Sequence, residues 1–183
     1  GFTVGTLAGI ILAIMLWWSK FFSKVLDPYI VVLNSVPKVA LGPIFVVWLG
    51  TTITAVIAMA ISISIIVTIM MMHTGFQEVD PNQIKLVRTF GASKGQVLRK
   101  VVIPASVPTM IAALKVNVGL SLVGTIVGEF LASKAGLGYL IVYGGQVFNM
   151  SLVMASVLLL LVVSVILYYA VNFLEDRAVH GGS

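Results

Sequence analysis

The sequence predicts an all-α membrane protein of about five transmembrane helices with a two-helix cytoplasmic loop. Three observations carry this. Of 183 residues, 60% are hydrophobic and 9% charged. A soluble domain of this length could not hide that much apolar side chain beneath a polar shell. Apolar runs near the length of one bilayer crossing, ~20 residues, recur along the chain, and the basic residues collect beside them.

The first span covers residues 1–18 and ends in Trp17 and Trp18, followed by Lys20 and Lys24. Gly1, Gly5, Gly9 and Ala13 recur every four residues, a small-residue stripe that lets another helix approach closely. Packing within the bundle and a dimer interface are both open uses of it. The second span, 30–49, is broken by Pro37 and Pro43. A tight turn at Leu49-Gly50-Thr51-Thr52 separates it from the third, 51–72. The fourth begins after Pro108 and reaches Glu129, with Gly124 and Gly128 repeating the small-residue theme. The fifth, 150–174, precedes Glu175, Asp176 and Arg177.

Orientation follows from charge. With the loop after the first span set inside, Lys20, Lys24, Lys85, Arg88, Lys94, Arg99, Lys100 and Arg177 all fall inside. Only Lys134 falls clearly outside. The positive-inside rule then places the N-terminus outside and the C-terminus in the cytoplasm. Lys38 and Lys115 are expected near enough to the inner face to snorkel. The chain opens within an apolar run with no basic leader, and is read as a single domain, 1–183, lacking its N-terminal part. The tail from His180 to Ser183 is assigned no function.

The segment 80–104 is the most informative. Asp80, Pro81 and Gln83 predict a capping box and helix start. That helix should run to Phe90 and stop at Gly91 in a left-handed conformation. Ser93 and Gln96 predict a second capping box, opening a helix to about Ile103. Pro104 and Pro108 then punctuate entry to the fourth span. In the first helix Ile84, Val87 and Phe90 share one side, with Lys85 and Arg88 toward another. An exposed apolar stripe on a short helix needs a cover: a partner, lipid headgroups or the chain's own inner loops.

Gly91, then nine residues, then Val101, Ile103 and Pro104, resembles the coupling loop of permease subunits in bacterial type I ATP-binding-cassette importers. Arg88-Thr89-Phe90-Gly91-Ala92-Ser93 is similar to that loop's common R-[ST]-[LF]-G-A-S form. The departure is its E-A-A opening, here Lys85-Leu86-Val87. Two further blocks occur in family order. PKVALGPIFVVWLG, from Pro37 to Gly50, and EFLASKAGLGYLI, from Glu129 to Ile141, resemble segments of nitrate, sulfonate and taurine importer permeases. The resemblance implies that 80–104 couples to a separate cytoplasmic ATPase through Ile84, Lys85, Val87, Arg88, Phe90, Gly91, Ala92, Ser93 and Pro104. It also implies a second permease subunit, an external solute-binding protein, and ATP with Mg on the ATPase alone. The location implied is the bacterial inner membrane, and the cargo a small solute such as a sulfonate or nitrate.

Other chemistry is excluded by pattern. The sequence has no G-x-x-x-x-G-K-[ST] phosphate loop and no H-E-x-x-H. It has no cysteine and two histidines, too few for a histidine or thiolate metal site. The basic excess is topological rather than a nucleic-acid signal. The chain is therefore not expected to be an enzyme. On the fourth span, Lys115, Asn117, Ser121, Thr125 and Glu129 are candidates for a translocation path or gate. Asn117, Ser121 and Thr125 share one face, and polar groups at membrane depth face protein or water rather than lipid. Helix-to-helix hydrogen bonding is the competing use, and for Glu129 a bond to a loop amide. A non-transporting scaffold subunit and a secondary transporter are the rival classes.

Overall fold

The computed structural model describes the backbone of residues 1–180 and side chains through Phe173. The tail beyond His180 and the side chain of Arg177 lie outside the described residues. The elements are α1 (Phe2–Trp18), α2 (Lys20–Ser35), α3 (Gly42–Leu49), α4 (Ile53–Gln77), α5 (Pro81–Thr89), α6 (Lys94–Val97), α7 (Ile103–Ala105), α8 (Val107–Ala132), α9 (Leu137–Gln146) and α10 (Met150–His180). A 3-10 turn, Lys38–Leu41, leads into α3.

Helix α4 is the axis of the bundle. Helix α1 runs parallel to it, because the glycine stripe lies flat on α4. A Cβ on Gly1 would stand 2.7 Å from Ala60 Cβ, and one on Gly9 2.6 Å from Thr68 Cβ. Helix α8 runs antiparallel on another side of α4. There a Cβ on Gly124 would stand 2.6 Å from Ala60 Cα, and one on Gly128 2.8 Å from Val56 Cα. Both small-residue stripes are thus used inside the chain. Helix α10 is mostly exposed and presents a long apolar surface.

Helices α4, α8 and α10 are long and apolar enough to cross a bilayer. The 17 residues of α1 reach about 26 Å at 1.5 Å per residue, the lower limit for a crossing. The remaining span differs from expectation. It starts at Lys20 rather than residue 30, and its two halves, Lys20–Ser35 and Lys38–Leu49, meet at 86°. Ser19 caps the start by accepting from Phe22 N at 3.4 Å, and Pro28 is carried inside the helix. The break falls at Pro37, which holds Val36 in an extended conformation. Lys38 Nζ donates to Asn34 O at 2.7 Å and to Asn34 Oδ1 at 3.1 Å, satisfying the broken end. The following Gly42 packs on Leu131 and Met59. Lys38 therefore lies at the end of the bundle opposite the 80–104 loop, not near that loop as expected.

Helix α9 was not foreseen. It turns back into α10 through Phe148, whose φ of 54° is positive.

Candidate functional site

The 80–104 loop forms the two helices that its caps predict. Asp80 Oδ1 accepts from Asn82 N at 2.8 Å, one residue earlier than a capping box would place the bond. Gly91 has φ +81°, the left-handed stop, and a Cβ there would meet nothing within 4 Å. The second box forms as expected: Ser93 N donates to Gln96 Oε1 at 2.8 Å, and Gln96 N donates to Ser93 Oγ at 3.4 Å. The helix beyond it does not end at Ile103. It widens into a π turn over Leu98–Val102 and continues through α7. The wide turn directly precedes Pro104, whose ring displaces the carbonyl four residues back.

This loop is fused to the membrane helices rather than hung from them. Val97 and Val102 are fully buried in one cluster with Ala13, Met72, Phe76, Val79 and Ala113. Ser106 Oγ donates to Gly75 O at 3.3 Å. Lys94 donates to Trp18 O, and its ammonium lies 5.8 Å and 5.4 Å from the Trp17 and Trp18 ring centres. A force applied to the loop therefore reaches the ends of α1, α4 and α8 through close-packed atoms.

The expected stripe divides. Ile84, Val87 and Ala92 are half-buried and pack inward on that core, so the chain's own inner surface covers part of each. Phe90 projects outward, 82% exposed, with Leu86 at 59%. Lys85, Arg88, Gly91, Ser93 and Pro104 are also exposed. Sequence reasoning passed over Leu86, although its place four residues before Phe90 was a usable signal.

The candidates on α8 do not form one site. Asn117 is fully buried, and its Nδ2 donates to Thr68 Oγ1 at 2.6 Å and Thr6 Oγ1 at 3.2 Å. It ties α8 to α4 and α1, which is the helix-to-helix use and not a path lining. Ser121 is buried on the same seam. Thr125 donates to its own helix, to Ser121 O at 2.8 Å. Lys115 lies on another side, in a cavity of about 610 Å³ with Ser164, Tyr168 and Tyr169 of α10.

Glu129 has a defined task at the far end. Its Oε2 accepts from Gly138 N at 2.7 Å, in the first turn of α9. Gly136, with φ +111°, leaves the room, since a Cβ there would fall on the Glu129 carboxyl. Glu129→Gln keeps an acceptor and should retain the unfolding midpoint closely. Glu129→Ala orphans the amide and should cost ~1–3 kcal/mol. Thermal unfolding in detergent checks this, and equal midpoints for the alanine variant and wild type would contradict it.

A parallel-antiparallel helical bundle with a bent span and a packed two-helix loop is the architecture of a multi-pass membrane domain. The chain belongs to the family of binding-protein-dependent transport system inner membrane components, whose sequence model matches residues 5–180. It is similar to a "Probable ABC transporter permease protein" of Haemophilus influenzae, 30% identical over 97% of this chain and 72% of that one. It is 28% identical to the formylaminopyrimidine transport permease protein ThiX of Halalkalibacterium halodurans, over 76% of this chain and 56% of the relative. With the taurine transport system permease protein TauC of Escherichia coli it shares 26% identity, over 93% of this chain and 62% of TauC. The fold matches a chain of the inward-facing MetNI methionine ABC transporter, with a TM-score of 0.79 and 20% identity. The match covers all of this chain and 91% of the other. The family resemblance read from the three sequence blocks therefore holds, and so does the all-α type I importer fold. The family is one of transport components, not of enzymes, and the chain is a multi-pass membrane protein.

Proposed function

We propose that this chain is the permease subunit of an ATP-driven importer and that its 80–104 loop takes the stroke of a cytoplasmic ATPase. The observation that carries this is the division of the loop. Its inner face is packed into the ends of three membrane helices, while Phe90 stands out unsupported with Leu86 beside it. A side chain that apolar is left in water only where something covers it. ATP and Mg belong to the ATPase. A second permease subunit completes the path, and an external binding protein supplies the cargo. Relatives named for unlike cargoes match at similar identity, so the cargo reading rests on the sequence blocks: a small anion such as a sulfonate or nitrate.

The proposed orientation puts the loop in the cytoplasm of a bacterial inner membrane, with the first residues outside and α10 ending inside. A cysteine at Ser93 should then react only with a reagent supplied from the cytoplasm, and one at Lys134 only from outside. Labelling of both from one side would contradict the topology. The functional test is co-purification with an ATPase subunit from the source cells, followed by uptake in proteoliposomes. Uptake should require ATP and the binding protein. A chain that purifies alone belongs to the scaffold class, and uptake driven by an ion gradient to secondary transport; either result rejects the proposal.

A further inference from the structure

A cleft of about 580 Å³ opens beside the loop, between the end of α1, the start of α2, the end of α4 and the helix α5. We propose that it binds the phosphodiester headgroup of an anionic phospholipid. Five cations line it: Lys20 and Lys24 from α2, Lys85 and Arg88 from α5, and Lys94 from α6. The one carboxylate in the lining, Asp27, is already engaged, 3.3 Å from Ser23 Oγ and 3.4 Å from His73 Nε2. Lys94 is held by Trp17 and Trp18. Of the nearby acids outside the lining, Asp80 caps α5 and Glu78 is exposed.

Among the described residues, Lys20, Lys24, Lys85 and Arg88 have no carboxylate within ion-pair distance. Cations gathered on one cleft repel one another, and a bound anion reverses the sign of that energy. His73 lines the same cleft, is 8% exposed, and its Nδ1 has no partner among the described residues. A polar group buried without a partner is costly unless a ligand or water meets it.

The surroundings select a lipid over a free ion. Leu16, Trp17, Phe76, Val79 and Ile84 make much of the wall apolar, which suits a glycerol and upper acyl chain. Trp17 and Trp18 mark the depth at which headgroups lie. Beside the cleft, α2 exposes Phe21 at 72% and Phe22 at 57%, a surface made for acyl chains. The volume lies within the range of small-molecule sites, ~300–1,000 Å³.

Lys20 and Lys24 lie outside the residues proposed to meet the ATPase, so this site can fail or stand independently of coupling. The test titrates phosphatidylglycerol or phosphatidylcholine into the purified full chain in detergent, with retained lipid counted by native mass spectrometry. Wild type should hold phosphatidylglycerol in preference. Lys20→Gln with Lys24→Gln should weaken that retention roughly thirtyfold, at the strength typical of two basic residues near an anionic surface. Lys20→Arg with Lys24→Arg should restore it, and Lys134→Gln should not alter it. Equal retention of the two lipids, or no loss in the glutamine variant, would overturn the proposal. Competition by inorganic phosphate at the same concentration would assign the cleft to a soluble anion and overturn it too. So would displacement of the lipid when the ATPase binds, which would make the cleft part of the protein interface.

Discussion

Phe90→Ala should leave the permease folded and weaken its hold on the partner ATPase by about thirtyfold or more, the loss expected for an aromatic anchor worth ~2 kcal/mol. The ring is 82% exposed in the free subunit, so removing it takes away almost no packing. Its backbone is the C-cap of α5, next to Gly91, whose left-handed conformation ends the helix there. Buried aromatic anchors dominate protein interfaces because they fill a pocket and exclude water from it. The measurement is ATPase affinity by titration, with the unfolding midpoint read in parallel. A variant with a normal midpoint and normal affinity would show that the ring docks nowhere. Ile84→Ala is the contrasting case. That side chain packs on the subunit's own core, so its loss should lower the midpoint first.

Gly124→Leu should be among the most destabilising single changes in the bundle, at or beyond the upper end of the ~1–3 kcal/mol usual for overpacking. The contact is backbone to backbone: a Cβ would stand 2.6 Å from Ala60 Cα and 3.1 Å from Ala60 N. No rotamer relieves that, so α4 and α8 must separate. Separation would also strain the hydrogen bonds that Asn117 makes two turns along α8. Gly119→Leu supplies the control on the same helix, since a Cβ there meets nothing within 4 Å. Thermal unfolding in detergent should show a clear drop for the first and little change for the second. Equal midpoints would mean that the helices have slack the structure does not show.

Local signals in the sequence were read correctly where a single side chain decides the outcome. Ser93 and Gln96 close their box, Gly91 takes the left-handed stop, and Pro37 breaks a span. The glycine stripe predicted close helix approach, but only the fold shows that its partner is α4 of the same chain. The start of α2 lies outside the expected span because Lys20, Lys24 and Asp27 interrupt Phe21, Phe22, Val25 and Leu26, leaving no continuous apolar run before residue 30. An amphipathic helix at the interface has the same composition. The inward turn of Ile84 and Val87 was out of reach, because they pack on a cluster that includes Met72 and Phe76 of α4 and Val79 of the bend after it. Asn117 carried a true signal, a polar group at membrane depth, yet its partners Thr6 and Thr68 are far away in sequence. Pattern alone could not choose between a path lining and a helix tie.

The most direct test of the central claim uses the fact that the chain has no cysteine. Thr89→Cys then supplies a unique thiol on the exposed tip of the loop while leaving the Phe90 ring in place. In the assembled complex, a short crosslinker with one thiol-reactive and one amine-reactive end should join it to an ATPase lysine, and the same thiol in the free subunit should react readily with a soluble maleimide. A thiol that stays open to maleimide in the complex, and yields no crosslink to the ATPase, would contradict the account.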